Sequence, residues 1–241
     1  MSNFFSQPVV FMPGTQCDER VWLPLWQYGS FELREYVPLQ WANSLDDMLS
    51  LCDDRVSRHS QPVHLLGYSM GGYIAAEYLR HAPARAIASV TMIGYAPQGL
   101  SKTECEQREM LLDVIKKGQY PGMTTRRLKN FVHDSRRNDD NVAGVVTAMD
   151  VDLGSNVLQC HLQATSHRPD MTAVLTRAAN KGLKIHFIGA EDDLIAPPKK
   201  LQQAASLIPN SSCKIFTDSA HMLPLEQPRA LCDYLHSLMG G

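Results

Sequence analysis

The stretch Leu65 to Leu79, "LLGYSMGGYIAAEYL", decides the fold. Its first half continues an apolar run that begins at Pro62, and its second half carries apolar residues at helical spacing. A lone serine sits between glycines at the junction. A strand that turns directly into a helix forces the junction residue onto a sharp, strained turn, and flanking glycines remove the side chains that would collide there. Gly67-Tyr68-Ser69-Met70-Gly71 fits the pattern G-x-S-x-G. The pattern alone is weak, because a capped strand-to-helix turn would look the same. Its position after a buried strand and before a helix makes it a candidate nucleophile turn.

The same rhythm extends outward in both directions. "PVVFMPG" (8 to 14) reads as a buried strand entering a tight Pro-Gly loop, with no partner strand before it. Asp18 caps a following helix with apolar spacing at Val21, Leu25 and Tyr28, closed by Gly29. "LREYVPL" (33 to 39) is a second strand, and residues 44 to 59 form an amphipathic helix opened by Ser44 with Asp47 three residues on. Strands follow at 62 to 69, 86 to 96, 183 to 190 and "CKIFTD" (213 to 218), with helices from Pro197 to Leu207 and from Pro224 to Leu238. Continuous apolar strands alternating with helices predict an α/β fold with a mostly parallel sheet covered on both faces. Between Pro97 and Lys181 the pattern changes to polar, charged helices at 104 to 117, 123 to 133, 139 to 149 and 155 to 167. The expected organisation is therefore a core of residues 1–97 and 181–241 carrying a helical cap insertion, 98–180, on the carboxyl edge of the sheet.

Composition bounds the partners. The 241 residues suffice for one sizeable domain. A formal charge of −2 gives no polyanion-seeking field, which argues against nucleic acid or an anionic membrane as partner. The amino terminus "MSNFFSQPVV" shows neither the basic region nor the apolar segment of a leader, and no stretch approaches the roughly 18 apolar residues of a membrane span. Six cysteines without C-x-x-C spacing are expected as reduced thiols, which points to a cytoplasmic protein. Oligomeric state is not legible.

A serine hydroxyl needs a base to attack at neutral pH, and the base needs a partner that fixes its tautomer. Of nine histidines, only His221, in "SAHMLPLEQP", falls in a loop after a late strand. His64 and His186 lie inside strands as packed residues, His59, His81 and His236 lie on helices or their ends, and His133, His161 and His167 belong to the insertion. Cys160, His161 and His167 have no recognised metal spacing, so no metal site is expected. The acid lies in "GAEDDLIAPP", where Asp192 and Asp193 are adjacent and a turn points them different ways. The order Ser, Asp, His at strand ends is the order that a nucleophile turn of this kind uses. The oxyanion donors are expected to be the amide of Met70, from the turn itself, and that of Thr15 in the Pro13-Gly14-Thr15 loop.

Through "MPGTQCDERVWLPL", "LLGYSMGGYIAAEYLRHAP", "GAEDDLIAPP" and "SAHMLPLEQP", with "HRPDMTAVL" from the insertion, the chain resembles the α/β-hydrolase superfamily. Within it, it is similar to small esterase and lactonase-like hydrolases related to 3-oxoadipate enol-lactonase and pimeloyl-ester carboxylesterase. The resemblance implies the α/β-hydrolase fold, a Ser69, Asp192, His221 triad and an acyl-enzyme without cofactor or metal. It selects Asp192 because the family's acid falls three residues after the glycine that ends its strand, here Gly189, and it selects Thr15 as the residue after the family's His-Gly pair. Pro13 stands where that histidine is usual, and the leading hairpin is missing. The implied activity is hydrolysis of small-molecule esters, thioesters or lactones. Carbon-carbon bond cleavage or elimination on the same fold is the nearest rival, and a non-catalytic binding protein on the scaffold the next. Arg126, Arg127, Lys129, Arg136 and Arg137 are read as a solvated, self-paired helix face, or else as a cationic rim for acidic substrates.

Overall fold

A computed structural model describes residues 3–82 and 86–239. In chain order the elements are β1 (Asn3–Phe5), β2 (Val9–Met12), α1 (Leu23–Tyr28), β3 (Gly29–Phe31), β4 (Arg34–Tyr36), α2 (Leu45–Ser57), β5 (Val63–Tyr68), α3 (Met70–Tyr78) and β6 (Ile87–Ile93). They continue with α4 (Lys102–Lys116), α5 (Thr125–Leu128), α6 (Val145–Ala164), α7 (Thr172–Asn180), β7 (Lys184–Ala190), α8 (Pro198–Leu207), β8 (Ser211–Phe216), α9 (Leu223–Glu226) and α10 (Pro228–Met239). Six strands form one sheet in the order β4-β2-β5-β6-β7-β8, and every adjacent pair is parallel.

Side chains alternate across a strand, so a sheet covered on both faces needs apolar residues at odd and even positions alike. In β2, Val10 and Met12 join one buried cluster while Val9 and Phe11 join another. The same split separates Leu65 from Leu66 in β5 and Phe187 from Ile188 in β7. One cluster is closed by α2, α3, α7 and α8, through residues such as Met48, Ile74, Leu175 and Leu201, and the other by α1 and α10, through Leu25 and Leu235. Helix α3 is buried along nearly its whole length, which explains why its sequence is apolar all round instead of on one stripe.

Two expectations need correction, and one short strand lies outside the expected pattern. A strand does precede β2, but β1 pairs with β3 in a separate two-stranded parallel sheet, where Phe5 stacks on Phe31 at 4.4 Å between ring centres. Both strands are three residues long, too short to show a period. The expected helix from Pro224 to Leu238 is two helices, because Pro228 disfavours helical backbone at Gln227, which adopts φ −136° and ψ 54°. In the insertion, the helices expected at 139 to 149 and 155 to 167 run together after a π-helical turn at Asp140–Gly144, with a break at Gly154, whose φ is 67° and ψ 180°. Helix α7 lies within the expected insertion by sequence, yet its Val174, Leu175 and Ala179 pack into the cluster under the sheet.

The β5-to-α3 turn is set by contact. A Cβ on Gly71 would lie 2.3 Å from the Met12 carbonyl oxygen, and one on Gly67 would lie 2.4 Å from that of Gly71. Both obstacles are backbone and cannot swing aside. Gly71→Ala is therefore expected to lower stability by about 3 kcal/mol or more, or to prevent folding, as read from urea denaturation. A loss below about 0.5 kcal/mol would contradict this packing.

Candidate active site

Ser69 sits at the crossing from β5 to α3 with φ 51° and ψ −111°, a strained conformation for a residue with a Cβ. Its amide is tied to the Ile93 carbonyl at 2.7 Å, which locks the turn to the neighbouring strand β6. Its hydroxyl is left at the carboxyl end of the sheet, 3.0 Å from Nε2 of His221. His221 comes from the loop after β8 and is almost wholly buried, with Tyr68 and Phe131 packed against its ring at centroid distances of 5.3 and 5.9 Å. The loop that carries it is held by Glu226, whose carboxylate accepts the Ala220 amide and, at 2.7 Å, the His133 amide. Burial pushes the Glu226 carboxyl above its ordinary pKa, and these two amides oppose the shift.

The acid facing His221 is Asp193, not the expected Asp192. Asp193 is 3% exposed and its Oδ2 lies 2.8 Å from His221 Nδ1. Its Oδ1 accepts the amides of Ile195 and Ala196, each at 2.8 Å, so the carboxylate cannot swing away. Asp192 instead leaves 57% of its side chain exposed, with Oδ2 3.3 Å from His133 Nε2. The displacement has a simple cause. Strand β7 continues one residue past Gly189 to Ala190, and the Asp193 amide closes a turn back onto the Ala190 carbonyl. Counted from the end of the strand, the third residue is Asp193.

Ser69, His221 and Thr15 line one cavity of about 380 Å³, roofed by the insertion through Leu111, Phe131, Leu158 and Leu162. Among the described residues, the amides of Thr15 and Met70 have no protein acceptor. Met70 opens α3, so its N–H belongs to the first turn, where amides lack helical partners and the dipole favours negative charge. The next amide in the first loop, that of Gln16, is already used: it donates to Nδ1 of His161 at 3.0 Å. Gln16 has φ 53°. His161, from the insertion, is fully buried and donates through Nε2 to the Leu39 carbonyl at 3.0 Å. An insertion helix thus fixes the loop that carries Thr15. A second cavity, of about 570 Å³, shares none of these residues and holds no hydroxyl or thiol among its described lining.

Burial lowers the pKa of His161 to about 4, as it does for His64, whose ring meets the Ser89 hydroxyl at 2.7 Å inside the sheet. Both folded values lie below the ordinary 6.5, so between about pH 6.5 and 4 the unfolded chain binds more protons than the folded one. Stability is therefore expected to fall as pH falls through that window, by up to about 1.4 kcal/mol per pH unit for each histidine. His64→Leu should flatten that slope in urea titrations. An unchanged slope would contradict the burial argument.

No group of three or more His, Cys, Asp or Glu able to hold a metal occurs among the described residues, and none of their helices is long and apolar enough to cross a membrane. Of the insertion's cations, Arg136 pairs with Asp139 and Arg137 with Asp134, whereas Arg127 lines the cavity and Arg126 is exposed outside it. Sequence reading did not single out Arg108 or Arg168, which also line the cavity.

Residues 9–234 match the model of the alpha/beta hydrolase family. Among curated proteins, a putative non-heme bromoperoxidase of Mycobacterium tuberculosis is 26% identical over 180 residues, 70% of this chain and 65% of that protein. A dihydrolipoyllysine-residue acetyltransferase component of the acetoin cleaving system from Cupriavidus necator is 25% identical over 189 residues, 75% of this chain and 46% of its own length. The matches thus span less than two thirds of either relative. Among solved structures, a thermophilic esterase from Thermogutta terrifontis superposes with a TM-score of 0.82 at 18% identity, covering 99% of this chain and 91% of that one. A bromoperoxidase from Bacillus anthracis superposes with a TM-score of 0.77 at 17% identity, covering 98% and 92%. At these identities the structural likeness speaks to fold.

Proposed function

The chain belongs to the alpha/beta hydrolase family, and on that premise we propose that it hydrolyses carboxylic esters, thioesters or lactones through an acyl-enzyme on Ser69. The observation that carries this reading is the unbroken hydrogen-bond chain from Asp193 through His221 to Ser69, at 2.8 and 3.0 Å. Asp193 accepts a hydrogen bond from Nδ1–H, which keeps its proton, and so leaves Nε2 free to act as base. As Oγ of Ser69 forms its bond to the substrate carbonyl carbon, Nε2 takes the hydroxyl proton and the carbonyl π electrons move to oxygen. The amides of Thr15 and Met70 stabilise that oxyanion. Collapse breaks the bond to the leaving group, which takes the proton from Nε2. Water then attacks the acyl-enzyme by the same sequence and releases the acid.

The test is pre-steady-state release of p-nitrophenol from p-nitrophenyl acetate and butyrate. An acyl-enzyme predicts a burst approaching one equivalent of enzyme, followed by steady turnover. Absence of turnover on both esters would overturn the reading.

A further inference from the structure

The cavity that holds Ser69 is lined by four cations, Arg108, Arg127, Arg168 and Lys200, against a single carboxylate, Glu104. Arg108, on α4, and Arg168, in the segment before α7, converge on one neutral residue. Nη1 of Arg108 donates to the carbonyl and hydroxyl oxygens of Thr165, both at 3.3 Å. Nε of Arg168 donates to the same carbonyl at 3.2 Å, and its Nη2 to the same hydroxyl at 3.1 Å. Tyr73 presents its ring to the Arg168 guanidinium at 5.1 Å. Among the described residues neither guanidinium has a carboxylate within 4.0 Å. Glu104 is engaged elsewhere, accepting the Ser101 amide at 2.8 Å and lying 3.8 Å from Lys200 Nζ. Desolvation and the neighbouring Arg108 charge bring Arg168 down to about 9, so it remains a cation at neutral pH.

Two like charges crowded about a threonine repel each other and lose hydration, and Glu104, one turn before Arg108 on α4, opposes them only from beyond ion-pair distance. Nε and Nη2 of Arg108 and Nη1 of Arg168 are left without protein acceptors among the described residues. A carboxylate, with two oxygens and about four lone-pair directions, can bridge such donors. The rest of the cavity wall includes the apolar side chains of Leu111, Leu158 and Leu162.

We propose that Arg108 and Arg168 form an anion subsite of the Ser69 cavity, which selects substrates whose acyl chain ends in a carboxylate, such as monoesters of short dicarboxylic acids. This rests on the esterase reading and adds the substrate class. Arg108 and Arg168 are specificity residues here and take no part in bond breaking.

The test compares monomethyl glutarate and monomethyl adipate with methyl valerate and methyl hexanoate by pH-stat, and titrates glutarate and adipate into Ser69→Ala by calorimetry. The wild type should favour the charged esters. Arg108→Gln and Arg168→Gln should each lower the charged-to-neutral ratio of kcat/KM roughly tenfold to hundredfold, mainly through KM. Arg168→Lys should recover part of the ratio, and Arg126→Gln, outside the cavity, should leave it unchanged. Equal rates on charged and neutral esters in the wild type, together with no heat from either diacid, would overturn the subsite. If no ester is turned over, the esterase reading fails separately: diacid binding to Ser69→Ala that Arg108→Gln abolishes would still uphold the subsite, and no binding would overturn it. Should Arg168→Gln fail to fold by its melting curve, Arg108→Gln decides the outcome alone.

Discussion

Ser69→Ala is expected to lower kcat for ester hydrolysis roughly 10⁴- to 10⁶-fold while leaving the fold in place. The size follows from what is removed. The hydroxyl 3.0 Å from His221 Nε2 is the atom that would form the acyl bond, and among the described residues no other hydroxyl or thiol is hydrogen-bonded to that nitrogen. The amides of Thr15 and Met70 and the cavity would remain, and in enzymes that lose a triad member such donors and binding alone sustain a residual rate. Structural cost should be small, because the turn is tied through the Ser69 backbone amide, not its side chain. Alanine meets the same positive φ as serine, so the melting temperature should move little. A variant that retains more than about a tenth of the wild-type rate would remove Ser69 from the chemistry.

The second large effect separates the two adjacent aspartates. Asp193→Asn should lower kcat roughly 10³- to 10⁴-fold. Its Oδ1 must still accept the amides of Ile195 and Ala196, so the new NH₂ group would face His221. Nδ1 would then have to accept, which places the ring proton on Nε2 and blocks it from taking the serine proton. Asp192→Asn, by contrast, alters an exposed carboxylate that faces His133, and should change kcat by no more than about threefold. The opposite ranking of the two variants would show that the loop after β7 is arranged differently in the working enzyme.

Much of the framework was readable from patterns with long support. Strands β2, β5, β6 and β7 announce themselves as apolar runs because both sheet faces are buried there, whereas β4 and β8, at the two edges, are only partly buried, and α2 announces its start because the Ser44 hydroxyl accepts the Asp47 amide at 3.1 Å. The β5-to-α3 turn was legible because its glycines answer backbone contacts, at Met12 and Gly71, that no other residue tolerates. What sequence could not yield depends on spatial detail finer than its patterns. One extra residue of pairing at Ala190 brings Asp193, and not Asp192, up to His221. The three-residue strands β1 and β3 carry too little period to see. The meeting of Arg108 with Arg168 joins positions 60 residues apart through Thr165, and nothing in the spacing of the two announces it. His161 illustrates the same limit, since its role in holding the Gln16 amide depends on how the insertion folds back over the first loop.

Intact-protein and peptide mass spectrometry after treatment with a fluorophosphonate tests the central claim most directly. A single adduct is predicted, located by fragmentation to Ser69 within the tryptic peptide His59 to Arg80, formed in step with loss of esterase activity and absent from Ser69→Ala. An adduct at another residue with activity lost, or full inactivation of Ser69→Ala by the same reagent, would contradict it.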